Sequence, residues 1–294
     1  MPESFYEVTR KRTTEYLDRE LFSPNMTDIA YGDGADELLD IYYPPAGKGD
    51  PFPQTGGKYP VIVHIHGGGW VYGDKSMAGT AAMLRGFLDS GFAVASVRYS
   101  LAPGSIYPVQ CCQVAEAVQF LKENGEKYGL RGDNVFLFGN SAGGFLALTA
   151  ALGGELTKAA GIKAAAIIYG ISHPGLIGTQ LRALGLEGRY LTEVPESMEG
   201  LFFGADVREI CALTDAASPL NTVSADCPPL LLQHGKEDRT VPYLQSSTMA
   251  EAVNRVAPGR AKLELFEELD HSAPFFKSRD NALHIAEFYK KHIT

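Results

Sequence analysis

The chain has 294 residues, with 26 Lys and Arg against 35 Asp and Glu for a formal net charge of −9. That acidic balance argues against a nucleic-acid or anionic-membrane partner, because either needs a basic footprint. Hydrophobic residues at 45% against 21% charged exclude a disordered chain, and no apolar run approaches the ~18 residues that cross a bilayer.

In chain order, residues 1–25 are charged and weakly amphipathic and predict a surface helix docked on the main body. The opening Met-Pro-Glu-Ser-Phe-Tyr-Glu has no basic stretch followed by an apolar one, so no signal peptide is expected and the expected setting is cytoplasmic. Residues 38–43 read as a strand stopped by Pro44 and Pro45, and the proline- and glycine-rich residues 44–60 as a surface loop. The run Val61–His66 is too apolar for a half-exposed strand and suits a sheet covered on both faces. Matching runs follow at 92–97, 135–138, 164–169, 230–233 and 263–266, with helix-compatible stretches at 76–90, 109–128, 142–153, 243–257 and 279–292. Strand and helix alternating in this way predict an α/β fold, a mostly parallel central sheet flanked by helices, as a single domain over 1–294. Residues 171–226 are too long for a simple crossover and read as an inserted, partly helical cap over one end of the sheet.

The cysteines, Cys111, Cys112, Cys211 and Cys227, form no C-x-x-C pair, which leaves a zinc knuckle or a dithiol redox site unsupported. Cys111 and Cys112 lead into an apolar helical stretch and are expected as buried free thiols; in a reducing setting all four stay unpaired.

Chemistry concentrates in a few places. Gly139-Asn140-Ser141-Ala142-Gly143 lies between an apolar strand and a helix, the G-x-S-x-G arrangement of a nucleophile elbow. A sharp strand-to-helix turn strains the serine, tolerates only small neighbours and aims the helix N–H groups at the reacting oxygen. Upstream, His66-Gly67-Gly68-Gly69-Trp70 ends a strand; successive glycines let backbone N–H groups approach a developing oxyanion. A phosphate loop is the rival there, but neither G-x-G-x-x-G nor the G-K-[ST] pattern occurs. His64 and His66 share one strand face at a spacing that suits a metal, yet no third ligand lies nearby in sequence. No metal is expected, and His66 is assigned a structural role in bracing the glycine loop.

A serine nucleophile needs a base and the base needs a carboxylate. The loop after the strand at 230–233 offers Asp238, with Glu237 as its rival, and the loop after 263–266 offers His271. The order Ser, acid, His is that of the fold type. His284 and His292 fall in the terminal helix, His173 in the cap and His234 at a strand end, so each competes poorly as the base.

These motifs, with Leu39-Asp40-Ile41-Tyr42, Arg98-Tyr99-Ser100-Leu101-Ala102-Pro103 and His234-Gly235 through Val241-Pro242, resemble an α/β-hydrolase of the hormone-sensitive-lipase-like esterase group. The likeness is to its small carboxylesterase and acetyl-xylan or feruloyl-esterase-like branch, over roughly residues 28–294. The resemblance implies Ser141 as nucleophile, His271 as base, Asp238 as its orienting acid, and an oxyanion hole from the N–H groups of Gly68, Gly69 and Ala142. One departure is Asn140, where many relatives carry Asp. The resemblance also implies hydrolysis of short acyl esters, acetyl or cinnamoyl esters of sugars and xylo-oligosaccharides among them. Such chemistry needs no cofactor and no macromolecular partner beyond a monomer or homodimer. Trp70, beside the glycine loop, is expected either to wall the substrate pocket or to pack in the core. Two alternatives are an arylformamidase-type amide hydrolase, which shares both glycine motifs, and a non-catalytic ligand receptor like the plant gibberellin receptors. The latter lose the catalytic histidine, whereas Ser141, Asp238 and His271 are all present here.

Overall fold

In a computed structural model, the described residues are 24–45, 58–76, 80–155 and 157–294. The helix expected over residues 1–25 lies outside them except for residues 24 and 25, which are not helical, and most of the loop at 44–60 also lies outside.

Among the described residues the chain runs β1 (Met26–Ala30), β2 (Leu38–Tyr42), β3 (Tyr59–Ile65), α1 (Ala81–Asp89), β4 (Ala93–Val97), α2 (Val109–Asn124), β5 (Leu130–Asn140) and α3 (Ala142–Leu152). It continues through β6 (Ala164–Ile168), α4 (Ile177–Ala183), α5 (Met198–Phe203), α6 (Cys211–Ala217), β7 (Leu230–Gly235), α7 (Leu244–Val256), β8 (Ala261–Phe266) and α8 (Arg279–Lys290). The eight strands form one sheet in the order β1-β2-β4-β3-β5-β6-β7-β8. Pairing is antiparallel from β1 through β2 to β4 and parallel across the rest. The sheet is therefore mostly parallel, as the alternation of strands and helices implied. The expectation omitted β1, whose MTDIA is largely exposed, and began β5 at 135 although pairing reaches back to Leu130.

The central strands β3, β4 and β6 are mostly apolar because both faces are covered. On β3, Val61, Val63 and Ile65 face a core with α2, α3 and α7, while Ile62 faces a second core with α1 and α8. One residue of slippage would exchange the two sets. The three expected site residues all follow the C-terminal ends of parallel strands: Ser141 after β5, Asp238 after β7 and His271 after β8.

Residues 171–226 carry the short helices α4, α5 and α6. Buried Gln245 on α7 tethers the start of this segment. Its Oε1 accepts the N–H groups of Ser172 and His173 at 2.8 and 2.7 Å, and its Nε2 donates to Gln180 at 2.8 Å. The cysteines are all unpaired; Cys111 is buried as expected, but Cys112 is only half-buried because it turns toward the outer side of α2.

Candidate active site

Ser141 occupies a turn with φ 54° and ψ −125°, a left-handed conformation that costs about 1–3 kcal/mol for a residue with a side chain. Its neighbours hold it there. The Ser141 N–H donates to the Ile168 carbonyl of β6 at 3.0 Å, and its carbonyl accepts Gly144 N–H at 2.9 Å to start α3. Gly143 permits the turn: a Cβ there would run into the carbonyl oxygens of Ile65 and His66, so α3 could not close onto β3.

The structure brings the three expected side chains into one relay. His271 Nε2 lies 3.1 Å from Ser141 Oγ, and His271 Nδ1 lies 2.6 Å from Asp238 Oδ2. Because Nδ1 faces a carboxylate, it carries the proton, which leaves Nε2 free to accept the serine O–H. Glu237, the rival acid, is exposed, whereas Asp238 is fully buried. Its Oδ1 accepts the N–H groups of Thr240 and Val241, both at 2.8 Å. Burial alone would raise the Asp238 pKa; the His271 and His234 rings beside it outweigh that effect and hold the carboxyl well below the usual range.

His234 has a part that the sequence did not reveal. Fully buried, its Nε2 faces the Val241 carbonyl at 2.8 Å and Asp238 Oδ2 at 3.3 Å, while its Nδ1 meets Ser246 Oγ at 2.7 Å. Two acceptors at Nε2 fix the proton there, so His234 donates toward the acid loop and accepts from Ser246. The His271 loop is tied in turn by Asp270, which accepts the His271 N–H at 2.6 Å and pairs with Arg189 of the 171–226 segment. Tyr169, at the end of β6, stacks obliquely on the His271 ring at 4.4 Å.

The glycine loop turns through left-handed space at Gly68 (φ 118°), Gly69 (φ 58°) and Trp70 (φ 62°). A Cβ on Gly68 would run into the Tyr72 carbonyl oxygen. Among the described residues, the N–H groups of Gly68, Gly69 and Ala142 have no backbone acceptor. His66 braces this loop as expected: its Nδ1 is 2.8 Å from the Gly67 carbonyl oxygen, its ring stacks on Tyr99 at 4.2 Å, and Tyr99 O–H donates to the His66 carbonyl at 2.9 Å. His64 is bonded to Ser96 Oγ at 2.8 Å. Burial pushes the pKa values of His64 and His66 down to about 3 and about 4, so both rings stay neutral. Among the described residues no group of three or more His, Cys, Asp or Glu could hold a metal ion.

A pocket opens over Ser141, lined by Gly69, Trp70, Ile171, Ile177, Met198, Glu199 and Thr240 among others. Trp70 touches both this pocket and the core. It lines the pocket while nearly fully buried, stacked on Phe202 of α5 at 4.3 Å and meeting Phe145 of α3 edge-on at 5.6 Å. Met198, Glu199 and Thr240 were missed, because a methionine and a glutamate opening a short helix carry no local signal of a pocket.

A family model described as BD-FAE matches residues 39–253, which takes in the glycine loop, the serine elbow and Asp238. The chain belongs to the BD-FAE family. Among curated relatives it is 29% identical over 241 residues to esterase LipQ of Mycobacterium tuberculosis, covering 79% of this chain and 53% of the relative. It is 26% identical over 271 residues to the isoprenylcysteine alpha-carbonyl methylesterase ICME of Arabidopsis thaliana, covering 85% and 57%. The chain thus spans about half the length of the curated relatives it matches. Among solved structures, a truncated carbohydrate esterase from gut microbiota superposes with a TM-score of 0.77 at 22% identity, covering 92% of this chain and 97% of that one. Carboxyl esterase 2 of the fungus Tuber melanosporum gives 0.73 at 25%, covering 93% and 89%. The fold of this BD-FAE member is that of the α/β-hydrolase esterases. Among the described residues no helix is long and apolar enough to cross a membrane.

Proposed function

We propose that this protein is a serine carboxylesterase acting on small-molecule esters, with Ser141 as nucleophile, His271 as base and Asp238 as the orienting acid. The observation that carries the reading is the relay from Ser141 Oγ through His271 to buried Asp238 at the floor of an open pocket. Ser141 Oγ attacks the ester carbonyl as its proton passes to His271 Nε2, and Asp238 stabilises the imidazolium while remaining ionised. The oxyanion accepts hydrogen bonds from the N–H groups of Gly68, Gly69 and Ala142. His271 then protonates the leaving alkoxide, giving the alcohol and an acyl-Ser141. A water molecule activated by the same histidine releases the acid and restores the serine.

The names of the relatives support ester hydrolysis. A pocket walled by Trp70, Ile171, Ile177 and Met198 suits short acyl groups, and acetyl esters of sugars or xylo-oligosaccharides form a natural first panel. In this reading residues 171–226 act as the cap that shapes the pocket. The test is labelling by a fluorophosphonate probe, followed by turnover of matched O-acyl and N-formyl substrates. Ser141 labels and the O-acyl esters turn over faster. Faster N-formyl turnover would indicate an amide hydrolase, and absence of labelling would indicate a ligand receptor.

A further inference from the structure

The pocket wall is largely carbon, from Trp70, Ile171, Ile177, Met198 and Val241, but Tyr190, Thr192, Glu199 and Thr240 interrupt it beside Ser141, and two of these, Glu199 and Thr240, hold buried polar groups. Glu199 comes from the first turn of α5 and is only 6% exposed. Thr240 comes from the loop that carries Asp238, and its Oγ1 is buried with no hydrogen-bond partner among the described residues. The two arrive on separate segments, yet both line the space above Ser141.

A glutamate in the first turn is favoured by the helix dipole, but it would serve equally well on the surface. The helix already has its cap, since Ser197 Oγ accepts the Gly200 N–H at 3.0 Å. Glu199 instead stands beside its own N–H and the Ser197 hydroxyl, and burial pushes its pKa up to about 7. Thr240 contributes its N–H to Asp238, a bond that valine would make as well. An unpaired buried hydroxyl and a desolvated carboxyl are costly, and a substrate able to pair with them removes that cost.

We propose that Glu199 and Thr240 form a hydroxyl-reading subsite, so that the preferred substrates are esters whose acyl or alcohol part carries a free hydroxyl group. This rests on the esterase reading above. A hydroxyl matches both groups, because its O–H donates to the Glu199 carboxyl and its lone pairs accept from the Thr240 O–H. A carboxylate meets repulsion from Glu199.

The test compares kcat/KM for matched esters: 2-hydroxyethyl acetate against ethyl acetate, and methyl 3-hydroxypropanoate against methyl propanoate, each corrected for its alkaline hydrolysis rate. The wild type prefers the hydroxylated member of at least one pair by about tenfold, the discrimination expected of one net hydrogen bond. Glu199→Leu and Thr240→Val each bring that ratio to within about twofold of one. Glu199→Gln and Thr240→Ser, which keep a hydrogen-bonding group, retain most of it. A wild type that hydrolyses both pairs without preference overturns the subsite and leaves the esterase reading intact. So does a preference that survives both Glu199→Leu and Thr240→Val. Failure to hydrolyse any of the four esters overturns the esterase reading itself.

Discussion

Asp238→Asn is the substitution whose consequence the geometry dictates most tightly. Asp238 Oδ1 accepts two backbone N–H groups, from Thr240 and Val241. The oxygen of an asparagine must take that place, since an NH2 there would oppose two donors. The NH2 is then forced to the Oδ2 position, where it faces His271 Nδ1 and the N–H of His234. To accept from the amide, His271 must carry its proton on Nε2, and that nitrogen can no longer take the proton of Ser141. The variant keeps its shape and loses its base. A tautomer error of this kind in a serine hydrolase lowers kcat by about 10⁴, leaving the residual rate of the oxyanion hole and binding. The assay is kcat for p-nitrophenyl acetate at pH 7 to 8, with circular dichroism and thermal melting to show that the fold is retained. A folded Asp238→Asn protein within tenfold of wild type would refute the relay.

Two further outcomes follow from other parts of the site. Gly68→Ala places a methyl group against the Tyr72 carbonyl at a backbone φ of 118°, so the loop must shift. Its N–H is then misaimed, and kcat falls by about 10²–10³, the usual cost of one lost oxyanion donor; steady-state kinetics on a soluble variant, with KM reported separately, checks this. Glu199 gives a pH signature. Its carboxyl is raised from the usual 4.5 to about 7, chiefly by burial and secondarily by the Glu193 charge. The folded state therefore holds a proton that the unfolded state has released, and stability falls as pH rises from about 4.5 to about 7. Integrated over that window the loss is on the order of 3 kcal/mol, and Glu199→Gln abolishes it. Urea unfolding of both proteins at pH 5 and pH 8 reads the difference; equal pH dependence in the two would contradict it.

The sequence was most informative where one physical demand fixes several residues at once. Strands covered on both faces need near-continuous apolar runs, which made β3, β4, β6 and β7 legible, and the elbow at Ser141 needs small neighbours between a strand and a helix. Chain order then pointed to Asp238 and His271 on two separate loops, and the structure brings both to Ser141. β1 was illegible because its side chains are mostly exposed and carry no period-two signal. Asp238 and Glu237 are equivalent as text; what separates them is the pair of backbone N–H groups that only the folded loop aims at Asp238. His234 read as a strand-end histidine because its partners, Val241 and Ser246, become neighbours only when the loop curls back. Met198 and Glu199 depend on how the short helices of residues 171–226 settle over the strand ends, and Thr240 on how the loop after β7 turns, neither of which a local period encodes.

The central claim is that Ser141 forms the acyl intermediate, and the direct measurement is the rate of p-nitrophenyl acetate hydrolysis by the wild type and by Ser141→Ala. The serine mechanism predicts that the variant loses activity by several orders of magnitude, toward the ~10⁶ seen when a serine hydrolase loses its nucleophile. Equal rates in the two proteins would contradict it.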